Sequence, residues 1–279
     1  MYSRLVKWSG LPPHRKVCIA KIMRRRLVRI NREHRVFVDA LTRRFEQLHE
    51  TLWLGLLRPD ELQRITDQFY GADAYLQDRD YNLGGMNYIE VGLVEQWFAP
   101  QGTVLLLGSG AGREAISLAR MGFRVTAIDC NPTLVEKMSG YASEEALQID
   151  THERVPGDLS GFDGPYDAVM IGLGAYTHIV GQEARVSLLR ELRTRVTPAG
   201  TLLFSFYHAR PAGLGVMLRV ARSIARITGS PRKPEPHERL RDTYDRAFEP
   251  HEIAEEMRLA GWRLVETADR GLRFAVGKL

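Results

Sequence analysis

This sequence of 279 residues has few cysteines and no long apolar run. Its two cysteines, Cys18 and Cys130, are too few for a disulfide framework and too far apart for a zinc site, so we expect a reducing, cytoplasmic location. No apolar run approaches the roughly 20 residues that a membrane-spanning helix needs. Internal repeats and low-complexity blocks are also absent. The composition, 44% apolar and 26% charged, is typical of a globular chain that buries a full core.

Basic charge is concentrated at one end of the chain. Residues 1–50 contain 13 Lys and Arg against 4 Asp and Glu, centred on residues 21–30. Apolar residues recur at helical spacing in this part, and residues 13–57 are predicted to be helical. Three interpretations of the basic residues stay open: they bind nucleic acid, they contact an anionic membrane surface, or they form the solvated face of a helix packed on the main domain.

From residue 103 onward, short apolar runs alternate with helical segments. Strands are predicted at 103–107, 124–128, 146–149, 167–171, 201–207, 263–267 and 272–277, and helices at 112–121, 132–142, 182–195 and 248–260. This alternation predicts an α/β fold, a Rossmann-like, mostly parallel seven-stranded sheet with helices on both faces. We therefore divide the chain into an N-terminal helical extension with a lid over residues 1–100 and an α/β domain over residues 101–279.

A glycine-rich loop lies between the first predicted strand and the helix that follows it. Gly108, Gly110 and Gly112 permit a tight turn and a close approach of the backbone to a ligand. Asp129 ends the second strand 21 residues after Gly108, close to the roughly 20 expected of an acid that binds ribose hydroxyls. These features predict a cofactor that contains a nucleoside. The alternative is a structural turn in which Asp129 caps the next helix.

Two common nucleotide motifs do not fit this loop. The dinucleotide fingerprint requires glycine at position 113, which is Arg113, and no Walker Gly-Lys-Ser/Thr follows, so ATP is not expected. The spacing Gly-x-Gly-x-Gly instead resembles the class I S-adenosylmethionine-dependent methyltransferases. The resemblance extends through residues 122–132, 166–171 and 196–205, and residues 248–279 fit the last helix and antiparallel hairpin of that family.

The resemblance implies S-adenosyl-L-methionine as the cofactor and residues 101–279 as the catalytic domain. It assigns a cradle for the methionine end of the cofactor to Gly108, Ser109, Gly110 and Gly112. It further implies that Asp129 binds the ribose, that Cys130 and Asn131 flank the adenine, and that Asp150 lies near the adenine amine. The family commonly has an acid two residues before the first glycine, where this chain has Leu106.

Candidate groups for the acceptor side come from two segments. Residues 172–179 follow the fourth strand, where the resemblance places the methyl group. His178, with an ordinary pKa near 6.5, is a candidate base, and Tyr176 is a candidate for positioning the acceptor. The alternative is that His178 only packs at the start of a helix. Tyr70, Tyr75 and Tyr81 crowd a predicted loop over 71–85, as a lid or as ordinary packing, and Tyr81 is the favoured cofactor contact.

The segment 208–247 is longer than a strand-to-helix connection needs and holds 9 Lys and Arg against 4 Asp and Glu. We expect it to form a basic amphipathic helix that covers the acceptor site. Its residues Arg219, Arg222 and Arg226 would contact an anionic acceptor or a lipid head group, or else belong to a solvated face.

The leading hypothesis is a methyltransferase that acts on an oxygen or nitrogen of a small-molecule or lipid-like acceptor, with peripheral membrane contact. An RNA methyltransferase that uses the basic N-terminal arm ranks second. Nucleic acid is less favoured because an Asn/Asp-Pro-Pro-aromatic signature and a Pro-Cys nucleophile are both missing after strand four. A non-catalytic protein that binds the cofactor is the third alternative.

Overall fold

The computed structural model describes residues 38, 39, 42, 44–72, 77–209, 215–270 and 272–279. It divides the chain into two compact units, residues 1–49 and 50–279. The described residues of the first unit are helical. Most of the predicted helix over 13–57 lies outside the described residues, as do Cys18 and Tyr75.

The second unit is built on a central sheet. Its strands are β1 (Thr103–Leu107), β2 (Arg124–Asp129), β3 (Ile149–Glu153), β4 (Tyr166–Ile171), β5 (Val196–His208), β6 (Glu238–Leu240), β7 (Tyr244–Phe248), β8 (Arg263–Arg270) and β9 (Leu272–Lys278). The parallel strands run in the order β3-β2-β1-β4-β5. β9 adds antiparallel to β5, and β8 antiparallel to β9. β7 pairs parallel with the end of β5, and β6 antiparallel with β7. The described residues therefore form a nine-stranded sheet, which contains the seven predicted strands and two more.

Helices cover the sheet and connect its strands. They are α1 (Pro59–Ala72), α2 (Arg79–Gly84), α3 (Tyr88–Trp97), α4 (Arg113–Arg120), α5 (Pro132–Glu144), α6 (Gln182–Arg193), α7 (Gly215–Thr228) and α8 (Pro250–Leu259). Residues 50–56 are also helical, and a short 3₁₀ helix spans Ala175–His178.

Both faces of the sheet are buried, which explains why its central strands are continuous apolar runs rather than alternating ones. In β1, Leu105 and Leu107 pack with α6 and α8, whereas Val104 and Leu106 pack with α3, α4 and α5 on the other face. Each such side chain contributes roughly 1.5–3 kcal/mol of transfer free energy. The sheet is therefore a rigid base for the loops at its carboxyl edge.

A smaller apolar cluster holds α1 over that edge. Leu54 and Leu62 pack with Leu240 and Tyr244 of the β6–β7 hairpin. Arg232 adds a hydrogen bond to the carbonyl of Leu54, 2.9 Å away. The position of α1 is thus fixed by contacts with a segment that lies far away in sequence.

The predicted boundaries are wrong in three places. β3 begins at Ile149, because Ala146 takes a left-handed conformation (φ 52°) and Leu147 N–H bonds back to Ala142, so these apolar residues end α5. The predicted loop 71–85 contains α2, which starts where the carboxylate of Asp78 accepts from the N–H of Tyr81. The insertion 208–247 contains the β6–β7 hairpin as well as the predicted helix, here α7.

Candidate active site

A cavity of about 230 Å³ lies at the carboxyl ends of β1, β2 and β4. In open α/β sheets this edge is where ligands bind. The floor of the cavity is the loop after β1, and α1 supplies Gln63, Thr66, Asp67 and Tyr70 to its lining. Eight of the eleven predicted site residues line this cavity, and three, Gly112, Asp150 and Tyr176, do not.

The glycine-rich loop has the backbone that its sequence predicts. Gly108 has φ 64°, and a Cβ there would lie 2.7 Å from the Cβ of Ala175. Gly110 has φ 54°, and a Cβ there would enter open space. Both residues line the cavity, together with Ser109. Gly112 does not line it: at φ 101° it begins α4, and a Cβ would lie 2.7 Å from Cγ of Met138. Its role is therefore close packing rather than ligand contact.

Asp129 is buried at the end of β2 and joins this strand to the glycine-rich loop. Its Oδ2 accepts from the N–H of Gly110 at 2.8 Å, and its Oδ1 accepts from the N–H of Asn131 at 2.9 Å. Burial raises the pKa of the Asp129 carboxyl, and the two hydrogen bonds oppose that effect. The carboxylate keeps lone pairs for ligand hydroxyls, because each oxygen can accept two hydrogen bonds.

Cys130 and Asn131 line the cavity beside Asp129, but their side chains contact protein groups. Oδ1 of Asn131 caps α5, and its Nδ2 donates to the carbonyl of Asp67 at 3.1 Å. The thiol of Cys130 donates to Oδ1 of Asp67 at 3.4 Å. Burial raises the pKa of this thiol, and the neighbouring carboxylates of Asp129 and Asp67 raise it further, so it stays protonated.

Tyr81 also lines the cavity, from α2. The guanidinium of Arg113 lies over its ring, 5.9 Å from the ring centroid. The role of Tyr81 as a cofactor contact stays a prediction. Tyr75 lies outside the described residues.

Asp150 lies away from the cavity, which contradicts the prediction. It pairs with Thr126 within the sheet, its side chain is 65% exposed, and it contacts Nε2 of His152 at 2.8 Å. The later start of β3 moves the carboxyl end of this strand to Glu153, and residues 154–159 border the cavity instead. The carboxylate in that loop is Asp158, whose pKa is lowered by hydrogen bonds from Ser160.

Tyr176 is also wrongly predicted as an acceptor contact. Its side chain is fully buried, and its hydroxyl donates to Oε2 of Glu256 at 2.5 Å. Its ring packs on Phe204, with 4.3 Å between the centroids, in the core below the cavity. Burial and the carboxylate of Glu256 raise its pKa well above the usual range. A loop tyrosine that turns inward in this way cannot be told from a ligand contact by sequence alone.

His178 lines the cavity with its ring held at both nitrogens. Nδ1 lies 2.6 Å from the carbonyl oxygen of Tyr244, and Nε2 lies 2.6 Å from the hydroxyl of Tyr70. A carbonyl oxygen can only accept, so Nδ1 carries the proton and Nε2 presents a lone pair. Burial lowers the pKa of His178, so the ring is neutral at pH 7.

The cavity carries an excess of acidic side chains, which the sequence analysis missed. Its charged lining consists of Asp67, Glu114, Asp129 and Asp158 against Arg113 and Arg154. Asp67 is contributed by α1, and its spacing of three from Tyr70 places both on one face of that helix. A ligand with net positive charge suits this lining, and a pyrophosphate does not.

Comparison with known proteins agrees with this geometry. Residues 104–200 match the family model described as methyltransferase domain. The ubiquinone biosynthesis O-methyltransferase of Xanthomonas axonopodis pv. citri is 26% identical over 211 residues, which cover 75% of this chain and 81% of that protein. The protein of the same name from Xanthomonas oryzae pv. oryzae is 31% identical over 125 residues, 44% of this chain and 51% of that protein.

Solved structures share the fold. A methyltransferase dependent on S-adenosylmethionine from Methanosarcina mazei matches with a TM-score of 0.54 at 17% identity, over 70% of this chain and 99% of that one. Another from Aquifex aeolicus matches with a TM-score of 0.52 at 15% identity, over 79% of this chain and 98% of that one.

Proposed function

We propose that this chain, which belongs to the class I S-adenosylmethionine-dependent methyltransferases, methylates a hydroxyl oxygen of a small, lipid-like acceptor. The observation that carries this proposal is the neutral ring of His178 in the cavity, with its Nε2 lone pair accepting from a hydroxyl group. The relatives named above are O-methyltransferases, which favours oxygen over nitrogen.

The lining of the cavity suits the cofactor. S-adenosylmethionine carries a sulfonium and an ammonium against one carboxylate, so its net charge is positive, as the acidic lining requires. Nicotinamide and flavin dinucleotides carry a pyrophosphate, which this lining disfavours. We assign the ribose to Asp129, the methionine end to the loop 108–110, and the adenine to the space beside Cys130, Asn131 and Tyr81.

Bound S-adenosylmethionine supplies an electrophilic methyl group on its sulfonium, and the residues of this chain have to align an acceptor oxygen with it. A hydroxyl is a weak nucleophile until its proton leaves. Nε2 of His178 can take that proton, because Nδ1–H stays on the carbonyl of Tyr244 throughout. The resulting imidazolium is stabilised by Asp245 and Asp67, whose negative charges raise the pKa of His178.

The walls around His178 indicate an apolar acceptor. Leu173, Ala175 and Ile179 line the cavity from the segment that carries His178, and Leu188 of α6 lines it too. A polar acceptor would lose its hydration here without gaining partners, whereas a phenolic ring or an alkyl chain buries apolar area. We therefore propose a hydroxylated aromatic acceptor with an apolar substituent.

A second candidate feature is a membrane-facing surface on α7. This helix buries the small residues Ala221 and Ala225 and exposes larger ones, with Val216 at 58%, Val220 at 41% and Ile227 at 84%. Arg219 and Arg226 flank the exposed stripe and are exposed themselves, while Arg222 donates to the carbonyl of Pro234. Aliphatic residues flanked by arginines suit an anionic bilayer surface or an anionic acceptor. No helix in the described residues is long and apolar enough to cross a membrane.

Two measurements test the proposal. Calorimetric titration with S-adenosylmethionine should show binding, and binding of a nicotinamide or flavin nucleotide in its place would contradict the assignment. Formation of S-adenosylhomocysteine should then be followed with alkylated phenols and catechols, with the matching anilines as nitrogen acceptors. Turnover of the anilines alone would contradict oxygen as the target.

Binding of α7 to an anionic membrane surface is tested separately, by sedimentation with vesicles. Retention by vesicles of phosphatidylglycerol, but not of phosphatidylcholine, should be lost when Arg219 and Arg226 are both replaced by Gln. Retention by RNA that falls steeply with salt would favour the nucleic-acid alternative instead.

A further inference from the structure

A buried cluster with an excess negative charge lies beside the glycine-rich loop. It consists of Glu90, Arg113 and Glu114, which are 0%, 6% and 4% exposed. Two carboxylates face one guanidinium, so one negative charge is left without a positive partner within the cluster. Burying an uncompensated charge is costly, and such charges normally pair with another group.

The positive charge of Arg113 is already compensated by the carboxylate of Glu90. Its Nη1 and Nη2 donate to the two oxygens of Glu90 at 2.9 and 2.7 Å, in the bidentate geometry that makes strong pairs. Oε2 of Glu90 also accepts from the N–H of Asn87 at 2.9 Å. Glu90 does not line the cavity, so the excess charge belongs to Glu114.

Glu114 lines the cavity and uses only one of its oxygens. Its Oε1 accepts from Nη2 of Arg113 at 2.7 Å and from the N–H of Leu173 at 2.9 Å. No group in the part of the chain that the structure describes donates to Oε2. This carboxylate is held in place by two donors and has a free acceptor at the cavity.

Ser109 gives a second, independent indication of a ligand. Its side chain is 2% exposed, and among the described residues its Oγ has no hydrogen-bond partner, although buried hydroxyls normally have one. Ser109 lines the same cavity from the glycine-rich loop. The loop and the start of α4 therefore present an unused hydroxyl and an unused carboxylate oxygen to one ligand.

We propose that Glu114 binds the ammonium group of the methionine portion of S-adenosylmethionine and thereby selects the amino-acid end of the cofactor. This inference rests on the proposed function, because it requires that the cavity holds this cofactor. Strand β1 supplies no charge near the methionine end of the cofactor, since the position two residues before Gly108 is Leu106, which is apolar and fully buried. The ammonium would neutralise the excess charge of the cluster, and Ser109 Oγ would bond to the same end of the cofactor.

A ligand that lacks only the amine tests the proposal directly. S-adenosylhomocysteine and 5′-(3-carboxypropylthio)-5′-deoxyadenosine differ by that amino group and by nothing else. Calorimetry should show that the unaltered protein prefers S-adenosylhomocysteine by roughly 10- to 100-fold, as for a hydrogen bond between charged groups. Glu114→Gln keeps the size and the Oε1 acceptor and should reduce this preference to about 3-fold or less.

Asp67→Asn is the matched control, because it removes the same charge at another position in the lining of the cavity. It should change the affinity for both ligands by a similar factor and keep the preference for the amine. The proposal is overturned if Glu114→Gln keeps the full preference, or if it weakens both ligands equally, which would indicate a structural role.

The unaltered protein alone also tests the proposal, should Glu114→Gln fail to fold. Equal affinity for the two ligands overturns the assignment of Glu114 while leaving the cofactor assignment intact. Failure to bind S-adenosylhomocysteine at all contradicts the proposed function instead.

Discussion

The hydroxyl of Tyr70 lies 2.6 Å from Nε2 of His178, and both residues line the cavity. Because Nδ1 is bonded to a carbonyl, the Tyr70 O–H must be the donor to Nε2. The cavity thus already contains one hydroxyl in the position that a base requires. An acceptor hydroxyl that replaces that of Tyr70 would meet the same lone pair.

The first prediction follows from this contact. His178→Gln should slow methyl transfer by roughly 10²- to 10⁴-fold, the usual contribution of a general base, and change the affinity for S-adenosylmethionine by less than about 3-fold. Single-turnover rates and calorimetry measure the two effects. His251→Gln, at an exposed site on α8, is the control and should change neither. Equal losses in affinity and rate would show that His178 only supports the cavity.

Tyr70→Phe should raise the pKa of His178. The Tyr70 hydroxyl donates to the neutral ring, so its loss removes a contact that favours the neutral form. NMR titration of the histidine ring measures this value. A lower pKa in the variant would mean that the Tyr70 oxygen instead accepts a hydrogen bond from Nε2–H of the protonated ring.

The sequence predicted the part of the site built by neighbouring segments of the chain, but not the contacts between residues that are far apart in sequence. The glycine-rich loop and Asp129 occupy consecutive connections of one βαβ unit, so their spacing specifies their geometry. The partners of His178 lie 108 and 66 residues away, and no spacing rule links Tyr70 or Tyr244 to it. The apolar cluster that brings α1 and the β6–β7 hairpin together decides this contact.

The two wrong site residues have different causes. Asp150 was misplaced because a left-handed Ala146, where glycine is the usual residue, hid the end of α5 and shifted the predicted β3. Tyr176 sits in the expected loop, but its side chain turns into the core to meet Glu256. The first error concerns chain register, and the second concerns side-chain direction, which local sequence does not specify.

These corrections yield a prediction for two acids. Asp129→Ala should weaken S-adenosylmethionine binding by roughly 100-fold or more, since it removes the carboxylate that accepts from the N–H of Gly110 and that we assign to the ribose hydroxyls. Asp150→Ala is the matched control and should leave affinity unchanged, because its side chain is exposed away from the cavity. Calorimetry measures both, and normal affinity in the Asp129 variant would refute the ribose assignment.

Tyr176→Phe should affect stability rather than cofactor binding. The hydroxyl donates to the buried carboxylate of Glu256, which would keep its bonds to Arg185. We expect the free energy of unfolding to fall by about 1.5–3 kcal/mol, as for a hydrogen bond to a charged group. Urea denaturation measures this. A variant of normal stability with altered cofactor affinity would contradict the core placement.

The buried state of His178 also makes stability depend on pH. Its pKa is lowered in the folded protein from an ordinary value of 6.5, so below that pH the unfolded chain takes up a proton before the folded one does. The free energy of unfolding should therefore fall as the pH falls through 6.5, by up to about 1.4 kcal/mol per pH unit, until the folded form is protonated too.

Urea denaturation between pH 8 and pH 5 tests this dependence. The difference in unfolding free energy between the unaltered protein and His178→Gln isolates the histidine from other titrating groups. At acid pH the unaltered protein should lose unfolding free energy relative to His178→Gln, because glutamine takes up no proton in either state. A difference that instead favours the unaltered protein at low pH would mean that the folded state stabilises the imidazolium. His178 would then be charged near neutrality and could not act as the base.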